Sequence, residues 1–81
     1  MLEQSLEQWL MCKKKMSNRS AKDIVSRQKR VVKLINIGSI DEDTMNLLTA
    51  NEQFLKMSVY VRSQLKRAVT LVLEYQETKN G

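Results

Sequence analysis

Proline is absent from this chain, and glycine occurs only at Gly38 and Gly81. Folds assembled from many tight turns need both residues repeatedly, because Pro presets one turn dihedral and Gly supplies the left-handed ones. Aromatic residues are scarce as well, at 5%. β-branched runs are short too, and both facts favour helices over strands. The sequence therefore predicts an all-α fold. At 81 residues there is interior for one domain only, so its amphipathic segments must share a core.

Apolar periodicity divides the chain into helices. Leu2, Leu6, Trp9 and Leu10 fall on one face of a first helix over about residues 2–14, with Lys13, Lys14 and Lys15 at its end as the helix dipole prefers. Ser17 reads as the N-cap of a second helix over about 18–36. Its buried side is Ala21, Ile24, Val25, Gln28, Val31, Val32 and Ile35, and Gly38 stands where a left-handed glycine would end it. Residues 41–48 read as a short helix or a loop. Thr49 and Glu52 have capping-box spacing, which predicts a third helix over about 50–57. Ser58 opens a last helix over about 59–76, centred on Val61, Leu65, Ala68, Val69 and Val72, with residues 78–81 as a frayed tail. The expected architecture is a compact bundle of four or five helices.

Charge is unevenly distributed along this frame. Nine bases lie between Lys13 and Lys33 against one acid, Asp23, whereas Asp41, Glu42, Asp43 and Glu52 face no base within their own stretch. A concentrated cationic stripe has a polyanion as its natural partner. Its plainer reading is a solvated helix face. Ser17, Asn18 and Ser20 sit where helix N-terminal N–H groups favour a phosphate, and equally where an ordinary cap belongs. Trp9 reads as core, or as an anchor for a protein partner.

Catalysis finds little to work with. The chain has no histidine, its single cysteine Cys12 has no second thiol to pair with, and residues 41–43 lack the spacing of a calcium loop. Tyr60 and Tyr75 fall on faces that read as packed. The expectation is a non-enzymatic protein without cofactor or metal. No apolar run approaches the roughly 20 residues of a membrane span, and no secretory pattern opens the chain, so a cytoplasmic setting is expected, at the nucleoid if DNA is bound.

The order of signals resembles a known family. A helix with Trp9-Leu10 precedes Ser17-x-x-Ser20, and a long helix, a glycine loop and Leu48-Thr49 follow. Phe54-Leu55, Met57-Ser58 and then Val61-Arg62-Ser63-Gln64-Leu65-Lys66-Arg67-Ala68-Val69 complete it. Over roughly residues 3–76 this is similar to the N-terminal core-binding (SAM-like) domain of phage integrases and other tyrosine recombinases. The resemblance implies a bundle that clamps duplex DNA with its second and last long helices near the major groove, in a phage or mobile-element setting. On this chain those helices offer Ser17, Asn18, Arg19, Lys22, Arg27, Lys29, Arg30 and Lys33, then Arg62, Lys66 and Arg67. Arg30 and Arg67 are the expected readers of guanine edges. Recombinase catalysis needs a histidine this chain does not have, so it is either a free-standing relative or a fragment cut before the catalytic domain. A different class also fits: a small inhibitor or adaptor whose basic face meets an acidic protein, with a recombinase or another phage protein as its partner.

Overall fold

The computed structural model describes residues 5–80. Ser5 is extended, and its hydroxyl accepts from the Gln8 N–H at 3.2 Å while its own N–H donates to Gln8 Oε1 at 3.3 Å. This reciprocal box starts α1, Leu6–Lys13, with Ser5 as its extended N-cap and not a helical residue. The expectation for residues 2–4 lies outside the described residues. Lys15 then takes a left-handed φ of 53°, and the Met16 N–H returns to the Leu10 carbonyl at 3.3 Å.

Ser17 caps α2, Asn18–Leu34, through the Ser20 N–H at 3.2 Å, as its sequence signal requires. The helix ends differently from the expectation. Ile35 is the C-cap, Asn36 takes the left-handed position at φ 55°, and the Ile37 N–H reaches the Val32 carbonyl at 3.1 Å. This is a Schellman closure, with Val32 and Ile37 both packed against the core. Asn tolerates that backbone better than other non-glycine residues, and it stands two residues before Gly38, which has no positive φ.

The acidic stretch folds into a turn. Asp41 Oδ1 accepts from the Asp43 N–H at 2.9 Å and from the Thr44 hydroxyl, which in turn accepts from the Asp41 N–H at 2.8 Å. Thr44 is fully buried there and begins α3, Thr44–Ala50. The predicted helix over 50–57 is not formed as such. Thr49 lies inside α3 and bonds back to the Met45 carbonyl at 2.9 Å, which leaves no cap for Glu52 to complete. Asn51 breaks the chain instead, and its Oδ1 accepts from the Phe54 N–H at 3.0 Å to cap α4, Glu52–Leu55. Ser58 receives the Val61 N–H at 3.3 Å, and α5, Val59–Asn80, follows. It continues past residue 76, so the expected frayed tail is helical through residue 80.

These five helices, with no strand among the described residues, form an all-α bundle. Its Cα extents of 41 × 25 × 16 Å leave room for about two helix layers in the thinnest direction. Helix α5 is shared between two apolar clusters. Leu65, Val69 and Val72 meet Val31, Ile40, Leu48 and Phe54. On its other side Ala68 and Leu71 meet Trp9, Leu10, Ala21 and Ile24. Gln76 Nε2 donates to the Ile40 carbonyl at 2.8 Å and ties α5 to the loop after α2. Trp9 is core, its ring 5.6 Å from that of Tyr75 and 5.7 Å from Lys14 Nζ, although its indole N–H has no hydrogen-bond partner. No helix among the described residues is long and apolar enough to cross a membrane.

Candidate nucleic-acid interface

On α2 the 100° step per residue sets Arg19, Lys22, Lys29, Arg30 and Lys33 on the side opposite Ala21, Ile24 and Val31. All five bases are exposed, and none is paired with a carboxylate among the described residues. The one ion pair between side chains of the described residues joins Lys14 to Glu74, between α1 and α5. Among the described residues, no carboxylate forms an ion pair with this cationic face, and Asp23, at its edge, is the one acid on α2.

The other expected positions divide. Arg27 sits on the flank of α2 beside its apolar face and is half-buried. Together with Arg67 of α5 it lines a groove of about 200 Å³, shared with Met16, Ser20, Asp23 and Ile24. Lys29 lines a second groove, with Gln28 and Val32 of α2, residues 38–40, and Val72 and Gln76 of α5. Lys66 and Arg62 stand on the flank of α5 beside Leu65 and Val69, about 100° and 140° around the helix from Arg67. Arg62 is half-buried, and its Nε has no partner. The fold thus joins Arg67, but neither Arg62 nor Lys66, to the bases of α2.

Ser17 and Asn18 are engaged within the protein. The Ser17 hydroxyl caps α2 and bonds the Ser20 hydroxyl at 3.1 Å. Asn18 Nδ2 donates to Glu7 Oε1 at 3.3 Å and to Met11 Sδ at 3.7 Å, which pins the α1–α2 corner. Both side chains act as structural groups here.

One surface feature is missing from the sequence reading. Leu47, Leu55, Val59 and Tyr60 are 49%, 52%, 69% and 72% exposed, on α3, α4 and the first turn of α5. Tyr60 in particular is not packed as its helical position suggested; only Tyr75 is, against Trp9. Among the described residues no three His, Cys, Asp or Glu side chains gather as metal ligands.

The class these observations define is a small all-α bundle whose α2 carries a cationic face without an ion-paired carboxylate among the described residues. Comparison with known protein families, curated proteins and solved structures found no match for the chain.

Proposed function

We propose that this protein is a non-catalytic module that docks on duplex DNA through the outer face of α2, continued across the groove to Arg67 on α5. The observation that carries the reading is the run of five exposed bases on α2 without a carboxylate partner. Solvated helix faces commonly alternate charge signs, whereas here Asp23 is the only acid among residues 13–33. Such a face gains affinity by releasing condensed counterions from phosphates. Arg30, at the edge of the face nearest Asp23, is the candidate for reading a guanine edge.

The resemblance to integrase core-binding domains supports the same reading in its finer form: a DNA-clamping bundle from a phage or mobile-element setting, acting at the nucleoid. The long α2 and α5 of an all-α bundle are compatible with that form.

Anisotropy of a labelled duplex, titrated across about 50 to 200 mM salt, tests the proposal. Affinity is expected to fall steeply with salt, and K29E/R30E/K33E is expected to abolish binding with the helical circular dichroism retained. Absence of binding at low salt refutes it. A second reading, an adaptor or inhibitor that binds an acidic protein, is favoured by the exposed Leu47, Leu55, Val59 and Tyr60. It stands if duplex DNA is not bound and replacing Tyr60 and Leu55 by Ser removes a protein association.

A further inference from the structure

Two arginines from different helices open onto the same small groove, and neither forms an ion pair with a carboxylate of the described residues. We infer that Arg27 and Arg67 jointly hold a single backbone phosphate of the docked duplex, which makes the α2–α5 groove the point that fixes the protein's register on DNA. The inference rests on the DNA reading above and deepens it. It also moves Arg67 from base reading to phosphate clamping.

Several features of the groove favour this assignment. Like charges converging on one cavity repel, and a bound anion reverses that repulsion. A guanidinium presents a planar fork matched to phosphate oxygens, so two forks from two helices lining one groove can grip one group. The groove volume of about 200 Å³ compares with roughly 30 Å³ for a water molecule in the liquid, which leaves room for a phosphate group and a few waters. The Ser20 hydroxyl on the same wall is a further hydrogen-bonding group. Asp23 is the opposing charge. It lines the groove four residues before Arg27, unpaired with either arginine, and it repels an entering phosphate. Arg27 is also half-buried, so its stem is already ordered and less rotamer entropy is lost on binding.

A shared phosphate has a thermodynamic signature that separate contacts lack. Each neutralised phosphate contributes about 0.9 to the slope of log affinity against log salt, worth about eightfold in affinity at 0.1 M salt. R27Q and R67Q should each lose affinity, and the double variant should lose about eightfold, with the slope reduced by about one rather than two. K22Q/K33Q, on the outer face of α2, should instead show additive losses and a slope reduced by about two. D23N should bind more tightly than the wild type.

The experiment is the salt-dependent anisotropy titration of these variants, each checked for fold by circular dichroism. If R27Q does not fold, R27K and R67K replace the glutamine variants. They keep charge and stem but not the fork, and are expected to lose affinity several-fold with the slope unchanged. Additive losses with a slope change of two, or variants that bind as the wild type does, overturn the clamp while leaving the DNA reading in place. Failure of the wild type to bind duplex DNA overturns both.

Discussion

Replacing Gly38 by Ala should stabilise the protein, although the sequence alone argues for the reverse. A glycine two residues beyond the last helical residue, as Gly38 is to a helix over 18–36, normally marks a left-handed closure, where Ala costs roughly 1–2 kcal/mol. Here the left-handed residue is Asn36, at φ 55°, and Gly38 has no positive φ. A Cβ built on Gly38 meets nothing within 4 Å. With neither strain nor clash in the folded state, the dominant effect is on the unfolded chain, whose freedom Ala reduces by about 0.4–1 kcal/mol. For a domain of this size that raises the melting temperature by roughly 2–6 °C. The companion variant is Asn36→Ala, which forces a residue with Cβ but no side-chain amide into the left-handed well and should destabilise by about 1 kcal/mol. Thermal melts and urea titrations followed by circular dichroism measure both. If G38A melts below the wild type, or N36A at or above it, the Schellman closure at Asn36 is the wrong account of how α2 ends.

Other expectations follow from the same geometry. Asn51→Ala removes the acceptor for the Phe54 N–H and should cost about 1 kcal/mol in urea unfolding, whereas Thr49→Ala, at an exposed hydroxyl that only bonds back along α3, should stay within about 0.5 kcal/mol. Leu10→Ala empties a fully buried site between α1, α2 and α5 and should cost about 2–5 kcal/mol by the same measurement. Glu74→Gln breaks a partly exposed ion pair with Lys14 and should shift stability by at most about 1 kcal/mol, an effect that shrinks in added salt.

What the sequence made legible was the periodic part. Helix α2 was readable from Ser17 onward because its cap, its apolar spacing and its bases agree in phase. The centre of α5 was readable for the same reason. Boundaries set by competition between neighbouring residues were not. Asn36 and Gly38 both suit a left-handed end, and the choice between them depends on whether Val32 and Ile37 can reach the core together. Thr49 and Asn51 both suit a cap, and burial of Leu48 and Phe54 on two separate short helices decides for Asn51. The candidate site shows the same division. A helical wheel placed Arg19, Lys22, Lys29, Arg30 and Lys33 on one face. It could not say that Arg67 would share a groove with Arg27 while Lys66, one residue away, would not line it. That depends on how α2 and α5 rotate about their axes when they pack, and the two clusters sharing α5 set that rotation.

Trp9 is the only tryptophan in the chain, and it is sealed between α1 and α5 against Tyr75. Its ultraviolet emission is therefore a label-free gauge of whether that seam is closed: water reaching the ring shifts the spectrum to longer wavelength. Docking on the far side of α2 leaves the ring covered. One optical channel can thus separate a variant that has lost its grip on a partner from one that has lost its fold.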